Sequence, residues 1–321
     1  MLIPEKLLPY FEFVEPIPFE DRKNYITGST LSTIIGANPY VTPFEYWNAV
    51  VNNVEPQLTD RAEKKLKAGK RLEKVIFDFF LEEFQPDEYY YFSNENLTYR
   101  SKIYDFLAGT PDAICIKYDQ PYIVEIKNMG HATAKEFQEN SIPINYLCQA
   151  SLYSYLFNTN KFLFAVLIDG YDFRIFGPFD LDKEFLDFIL EQARNFLDFN
   201  IKQKQPPQPK YLKEVSMIYP KSKSLSIEAN DEILETYNRL VAISNQIKEL
   251  EEKKEQLNTV VANYMKDNEM LTFKGKKLVR FKSQTQNRFD SNSFKKVHPD
   301  LYDKFCKQIS FRKFELIKEE E

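Results

Sequence analysis

The chain has 321 residues, of which 43% are hydrophobic and 28% charged. This balance indicates a soluble globular protein with room for two domains. There is no run of 18 or more apolar residues, and the first residues lack the basic start and apolar core of a signal peptide. We therefore expect a cytoplasmic protein without membrane segments. The net charge of −5 counts mildly against a DNA-binding protein, although residues 221–321 alone carry a net charge of +3.

Cysteine and histidine are too sparse for several kinds of functional site. The three cysteines, Cys115, Cys148 and Cys306, lie far apart and are odd in number. This argues against a disulfide framework, a zinc site or an iron–sulfur cluster. The two histidines are His131 and His298. The composition therefore argues against a zinc hydrolase, and a Ser-His-Asp triad has few candidate histidines.

The first part of the chain alternates predicted helices and strands. We expect helices over residues 30–35, 43–51, 64–84, 145–157 and 183–200. We expect strands over residues 106–116, 122–127, 162–168 and 173–179, the first two joined by a turn at residues 118–121. Strands flanked by helices on both sides predict an α/β fold with a central sheet.

A proline-rich segment, residues 202–210, reads as a linker between two domains. We therefore assign residues 1–210 to a catalytic domain and residues 221–321 to a C-terminal extension that could serve oligomerisation, DNA contact or partner contact. In the extension, residues 231–267 predict a long helix whose apolar residues form a heptad seam suited to a coiled coil or helical hairpin arm. A small hairpin is expected around Gly275, followed by a helical tail over residues 294–317.

The most informative stretch is Gly109-Thr110-Pro111-Asp112, followed by the strand-like residues 122–127. Along a strand, Glu125 and Lys127 share one face, while Val124 and Ile126 point to the other. Burying an acid and a lysine in so apolar a run is costly unless they pair or hold a metal. Two carboxylates that collect Mg²⁺ beside an ammonium make a phosphodiester-cleaving centre. The alternative is two edge-strand charges that point to solvent.

Two further polar residues fall on predicted apolar helix faces. Glu73 has Ile76, Phe77 and Phe80 as helical neighbours, so it is either a buried ion-pair partner or a third acid at a metal site. Gln149 is flanked in the same way, and its amide must find either backbone partners or a phosphate and a water.

Two basic regions allow contact with phosphate groups. Arg22 precedes Ser29, which opens a predicted helix; this hydroxyl is either a helix cap or part of a phosphate pocket. The second is a lysine-rich cluster over residues 274–282, with Phe273 and Phe281 interleaved. This cluster is either a solvent-exposed face or a site of contact with the phosphates of a DNA backbone.

Five sequence blocks now stand in one order across residues 22–157. They are Ile26-Thr27-Gly28-Ser29; Ile34-Ile35-Gly36 with Asn38-Pro39-Tyr40 and Thr42-Pro43; Gly69 through Glu73; Gly109-Thr110-Pro111-Asp112 with Glu125-Ile126-Lys127; and Gln149-Ala150-Ser151-Leu152-Tyr153. Together they resemble the YqaJ-type viral recombinase family, lambda-exonuclease-like alkaline exonucleases of the PD-(D/E)xK nuclease superfamily. The resemblance covers most of residues 15–200 and implies a restriction-endonuclease-like mixed sheet flanked by helices.

The resemblance also implies roles for individual residues. Asp112, Glu125 and the Ile126 carbonyl would bind Mg²⁺, with Mn²⁺ as a substitute, and Glu73 would hold a second metal or its waters. Lys127 would orient and activate the attacking water. The Q-x-x-x-Y helix would add Gln149 and Tyr153 to the catalytic set. A 5′-phosphate pocket would be formed by Arg22, Ser29 and Thr110, where the family has a serine in place of Thr110.

The implied activity is 5′-to-3′ exonuclease digestion of linear double-stranded DNA, leaving 3′ overhangs for phage-type recombination. The implied partners are DNA ends and a single-strand annealing protein of the RecT or Red-beta type. A homo-oligomeric ring, in the cytoplasm of a bacterial host and encoded by a phage or prophage, would follow. The alternatives are an endonuclease and a non-catalytic DNA-binding protein on the same fold.

Overall fold

The computed structural model describes residues 3–54, 60–92, 96–137, 142–307 and 310–317, without the side chains of residues 61 and 62. The chain divides into two compact units, Met1–Ile218 and Tyr219–Glu321. None of the helices in the described ranges is long and apolar enough to span a membrane.

The first unit is built around a five-stranded mixed sheet. The strands of the first unit, in both of its sheets, are β1 (Val14–Pro18), β2 (Glu88–Tyr91), β3 (Leu97–Ser101), β4 (Ala108–Gly109), β5 (Ala113–Lys117), β6 (Gln120–Met129), β7 (Lys161–Ile168) and β8 (Asp172–Asp180). The main sheet has the order β2-β5-β6-β7-β8, in which only the β6–β7 pair is parallel. Strands β1, β3 and β4 form a separate antiparallel sheet.

Helices cover both faces of the main sheet, so the predicted α/β class is confirmed. The helices are α1 (Gly28–Ile34), α2 (Pro43–Asn52), α3 (Asp60–Phe84), α4 (His131–Ala134), α5 (Ile144–Leu156), α6 (Lys183–Asn195) and α7 (Leu212–Ile218), with a π-helical turn at Phe196–Lys202. On one face, α3 packs Phe77 and Phe80 over Val124 of β6. On the other, α5 packs Leu152 with Ile123. Alternation along β6 therefore turns Glu125 and Lys127 toward α5.

The predicted strand over residues 106–116 is wrong as a single element. Strand β4 belongs to the small sheet and β5 to the main sheet, with residues 110–112 between them. Pro111 has no N–H to donate to a ladder, so pairing stops there and the chain passes from one sheet to the other. The predicted turn is confirmed in a shorter form: Tyr118 and Asp119 both have positive φ and join β5 to β6.

The first unit continues beyond residue 210, where the sequence places the domain edge. The Trp47 indole nitrogen donates to the Asn200 carbonyl at 2.9 Å, and the Thr42 hydroxyl donates to Glu214 at 2.6 Å. Helix α2 thereby holds the chain after α6 against the first unit. Proline content alone could not reveal these contacts, because the partners lie more than 150 residues away.

The second unit contains α8 (Asp231–Met265), a hairpin of β9 (Met270–Phe273) and β10 (Lys276–Arg280), then α9 (Ser291–Val297) and α10 (Pro299–Phe305). The predicted long helix and hairpin are confirmed. The helical tail predicted over residues 294–317 is wrong: Pro299 starts a new helix, and residues 310–317 form neither helix nor strand. The coiled coil stays a prediction, since seam residues such as Leu257 are exposed.

Candidate active site

Strand β6 places an acid and a lysine side by side. Glu125 has no exposed surface, and its Oε2 accepts a hydrogen bond from Lys127 Nζ at 2.7 Å. The Lys127 side chain is 16% exposed, so the pair opens to one side only. Burial of two charges is tolerable because they neutralise each other. The edge-strand alternative, with both charges in solvent, is therefore wrong.

Asp112 approaches the same stretch of β6 from the connection between β4 and β5. It stands between Pro111 and the first residue of β5, and its Oδ2 accepts a hydrogen bond from the Ile126 backbone N–H at 2.6 Å. The Asp112 carboxylate therefore lies against the backbone between Glu125 and Lys127. Two carboxylates and an ammonium converge on one short stretch of β6.

Burial and mutual charge govern the ionisation of this cluster. Burial raises the pKa of Asp112 and of Glu125, while the Lys127 ammonium opposes both increases. Burial alone would lower the pKa of Lys127, but the negative charges of Glu125 and Asp112 outweigh it and raise that pKa. Without a cation on the carboxylates, the proton therefore stays on the lysine.

Glu73 extends the cluster from α3. The pKa of Glu73 is raised by burial and then by the Asp112 charge, with Lys70 and Lys127 acting against the increase. The alternative, an ion pair of Glu73 with Arg71 or Lys74, is not present among the described residues, and Lys74 pairs with Asp78 one turn along. Glu73 is half-buried, and the charges of Asp112 and Lys127 both affect its pKa.

Gln149 and Tyr153 line the α5 side. The Gln149 amide donates to the Tyr153 hydroxyl over a long 3.4 Å, and Tyr153 is fully buried. Burial raises the pKa of Tyr153 to about 12, and the charge of Glu125 contributes to the increase. Both residues predicted from the Q-x-x-x-Y spacing therefore lie beside the acidic cluster.

The three predicted phosphate-binding residues differ in their surroundings and in whether their polar groups are already hydrogen-bonded. Arg22 lies close enough to lower the pKa of Asp112. Ser29 is exposed, with its hydroxyl 3.2 Å from that of Thr27. The Thr110 hydroxyl instead donates to Thr98 at 3.0 Å, so contact with a phosphate would require this bond to be exchanged.

The residues fit the divalent metal that the family resemblance implies. Glu125 Oε1 is buried without a hydrogen-bond partner among the described residues. An orphaned carboxylate oxygen is costly unless a cation or proton satisfies it. The described residues contain no group of three His, Cys, Asp or Glu side chains close enough to form a metal cluster. A metal here would therefore depend on Asp112, Glu125 and the neighbouring Ile126 carbonyl.

Tyr146 is a neighbour of the cluster that the sequence did not single out for a role. The Lys127 ammonium lies 5.8 Å from the centre of its ring. Its position three residues before Gln149, on the same face of α5, was the available signal. The ring covers one side of the lysine and adds a cation–π contact.

A mixed sheet that brings together an aspartate and an E-x-K strand is the arrangement that the resemblance to the PD-(D/E)xK superfamily implies. Residues 19–160 match the family described as YqaJ-like viral recombinase domain, which confirms the sequence resemblance. The chain is 26% identical over 309 residues to a Bacillus subtilis (strain 168) protein described as uncharacterized protein YqaJ, covering 92% of this chain and 91% of the relative.

Two solved structures share low similarity with the chain. One is an alkaline exonuclease, LHK-Exo from Laribacter hongkongensis, with a TM-score of 0.43, 11% identity and coverage of 56% of this chain and 89% of that one. The other is LHK-Exo in complex with dAMP, with a TM-score of 0.44, 11% identity and coverage of 63% and 96%.

Proposed function

We propose that this protein is a metal-dependent deoxyribonuclease that degrades linear double-stranded DNA from 5′ ends toward 3′ ends. Its product would be a 3′ overhang for recombination by single-strand annealing. The observation that carries the proposal is the convergence of Asp112, Glu125 and Lys127 on β6, with one buried carboxylate oxygen left unpaired. The match to the YqaJ-like viral recombinase domain supports a role in recombination.

Asp112 and Glu125, with the Ile126 carbonyl, are the proposed Mg²⁺ ligands, and Mn²⁺ is the expected substitute. Bound divalent metal supplies charge stabilisation to the attacking and leaving oxygens of the phosphodiester. Glu73 would hold further metal-bound waters from α3. The Ile126 N–H holds Asp112, and Glu125 lies on β6, so these two carboxylates keep one geometry.

Lys127 is the proposed residue that orients the attacking water. Its ammonium is held by Glu125 at 2.7 Å and covered by the Tyr146 ring, so it has a fixed position. If Glu125 bound a metal ion, Lys127 would lose its charge partner and its pKa would fall. A larger fraction of the lysine would then be the neutral amine, which can accept a proton from the attacking water.

Recognition of the 5′ end is proposed for Arg22, Ser29, Thr110 and Gln149. Arg22 supplies the positive charge, and Gln149 lies beside the start of α1, whose second residue is Ser29. An arginine with hydroxyl and amide groups is suited to a terminal phosphate. Such a pocket would draw the strand end forward after each cut.

The proposed setting follows from the family. DNA ends would be the substrate, an annealing protein of the RecT or Red-beta type the partner, and a homo-oligomeric ring the assembly. The cytoplasm of a bacterium carrying a phage or prophage is the proposed location. The extension after residue 220 would serve oligomerisation, DNA contact or partner contact.

Digestion of matched DNA substrates tests the polarity and end dependence. Linear duplexes labelled on one strand, with and without a 5′-phosphate, are incubated with the protein and Mg²⁺ beside sealed and nicked circles. We expect loss of the 5′-phosphorylated strand and intact sealed circles. Cleavage of sealed circles would favour the endonuclease, and binding without cleavage would favour the non-catalytic protein.

A further inference from the structure

A second groove lies in the first unit, between the loop that precedes α2 and the residues that precede α7. It encloses about 570 Å³, and its lining includes Tyr40, Tyr211, Lys210 and Lys213. The Tyr40 ring is 87% exposed and the Tyr211 ring 49% exposed. Two open tyrosines beside two lysines form a surface that the proposed cleavage site does not use.

A buried glutamate fixes the two walls of this groove. Glu214 has no exposed surface; its Oε1 accepts from the Thr42 hydroxyl at 2.6 Å. Its Oε2 accepts from the backbone N–H groups of Lys210 at 2.6 Å and Tyr211 at 3.2 Å. Because one buried carboxylate satisfies donors from both walls, the groove is built into the fold rather than left between mobile loops.

The Tyr40 wall is fixed in its own right. The Asn38 side-chain oxygen accepts from the backbone N–H of Tyr40 at 2.8 Å and of Val41 at 3.3 Å, and its amide donates to Thr33 at 2.9 Å. The backbone beneath Tyr40 is thus held while its ring faces solvent. A large ring presented on a fixed backbone is suited to contact with a ligand.

The groove has a modest positive charge. Lys213 pairs with Glu45 at 2.6 Å, and these two charges cancel. Lys210 forms no ion pair within the described part of the chain, and its ammonium lies 5.8 Å from the centre of the Tyr211 ring. One free cation beside a ring can contact a phosphate while a base lies on the ring.

The groove is connected to the candidate active site through α1. The loop that carries Tyr40 follows this helix, and the Asn38 amide donates to Thr33 within it. At the start of α1, a Cβ on Gly28 would lie 2.9 Å from the Gln149 Cα. The groove and the candidate active site are therefore supported by the same helix.

We propose that this groove binds single-stranded DNA, with bases stacked on Tyr40 and Tyr211 and a backbone phosphate at Lys210. The inference rests on the proposed function and adds to it a strand-binding site distinct from the 5′-phosphate residues. Stacking on a side chain needs an open base face, which single strands offer and the interior of a duplex does not. The groove therefore selects an unpaired strand leaving or entering the site.

Binding of a fluorescein-labelled fifteen-nucleotide oligo(dT) to the full chain, measured by anisotropy in EDTA, tests this site without requiring cleavage. We expect Tyr40→Ala and Tyr211→Ala each to weaken binding at least about five-fold, because a stacked base is lost. Tyr211→Phe retains the ring and should bind within about two-fold of the parent. Tyr171→Ala, which removes a ring 82% exposed at the β7–β8 turn, is the matched control and should change nothing.

The outcomes separate this inference from the proposed nuclease. Because no cut is needed, absence of nuclease activity would leave the binding result interpretable. Lys210→Gln removes an exposed charge and should lower the salt dependence of oligo(dT) binding by about one phosphate contact. This variant keeps the proposal testable if Tyr40→Ala or Tyr211→Ala fails to fold. The proposal would be overturned if a variant carrying both Tyr40→Ala and Tyr211→Ala bound oligo(dT) as tightly as the parent. It would also be overturned if these substitutions weakened binding to a blunt duplex by the same factor.

Discussion

Two glycines in the motif blocks are explained by close contact with α5 rather than by a role in the chemistry. A Cβ on Gly28 would lie 2.9 Å from the Gln149 Cα, and one on Gly109 would lie 2.4 Å from Tyr153 Cε1. Each glycine lets the chain that carries Ser29 or Thr110 approach the Q-x-x-x-Y helix. Gly28 and Gly109 therefore set the distance between the proposed phosphate residues and Gln149.

Replacement of Gly109 tests this packing at the level of one atom. Gly109→Ala should destabilise the first unit by about 1–3 kcal/mol, because the buried Tyr153 ring must move. Thermal or urea unfolding measures the change. Gly69→Ala is the matched control on α3, where nothing lies within 4 Å of the added carbon, and it should leave stability unchanged or slightly higher. Equal effects of the two substitutions would contradict this account.

At the element scale, α2 and α7 show how distant parts of the chain form one unit. Both helices are short, and polar side chains link them beside the apolar cluster in which Ile218 packs with Phe44 and Trp47. Thr42 both caps α2 and donates to Glu214, while Glu45 caps the same helix and pairs with Lys213. The Tyr40–Tyr211 groove depends on these contacts.

Glu214 should be the most sensitive residue of this junction. Glu214→Ala removes the acceptor of three hydrogen bonds and should cost about 2–4 kcal/mol, because buried donors lose their partner. Denaturant unfolding reports the loss. Glu82→Ala, an exposed glutamate on α3, should change stability by less than about 0.5 kcal/mol. If Glu214→Ala lowered the free energy of unfolding no more than the control does, Glu214 would not be the residue that holds this junction together.

Glu45 gives the junction a pH dependence. Burial would raise the pKa of Glu45, but hydrogen bonds from Lys213 and the Thr42 N–H outweigh it and lower the pKa below its usual 4.5. A lowered pKa in the folded state stabilises the protein above pH 4.5, and this stabilisation is lost as pH falls through the folded-state value. Glu45→Gln should therefore flatten the decline in melting temperature below about pH 5. An unchanged decline in the variant would contradict this assignment.

The sequence predicted most elements of the first unit, because periodicity records which face of each element is buried. It missed β1, β2, β3, α4 and α7, none of which is longer than seven residues, too short for a periodic pattern to stand out. It merged β4 with β5 because an apolar run does not reveal which sheet each half joins. It also predicted helix over residues 306–307 and 310–317, where nearly all side chains are exposed.

The site was predictable to the extent that its residues share one strand or one helix. Glu125 and Lys127 follow from the period of β6 and Gln149 from the period of α5, whereas Tyr153 came from the family resemblance through the Q-x-x-x-Y helix. The engagement of the Thr110 hydroxyl with Thr98 was not accessible, because it depends on how β3 meets β4. The groove at Tyr211 was hidden for the same reason, since residues 202–210 read as a linker.

At the scale of the whole molecule, two compact units share one chain, and the proposed chemistry belongs to the first. Residues 19–160, which match the YqaJ-like viral recombinase domain, contain every residue of the candidate active site. Residues 1–220 carry a net charge of −8, so the proposed DNA substrate would be bound through local cations and metal rather than through overall attraction. The extension carries a net charge of +3 and an exposed apolar seam on α8.

The most direct test of the central claim is the rate of nucleotide release from a 5′-phosphorylated linear duplex in Mg²⁺. The parent chain is compared with Lys127→Ala and Asp112→Asn, with EDTA as the metal-free arm and Asp172→Asn as the matched control outside the site. We predict Mg²⁺-dependent release that falls at least about a hundred-fold in both site variants and is unchanged in the control. Undiminished release by Lys127→Ala and Asp112→Asn, or release that persists in EDTA, would contradict the assignment of this centre.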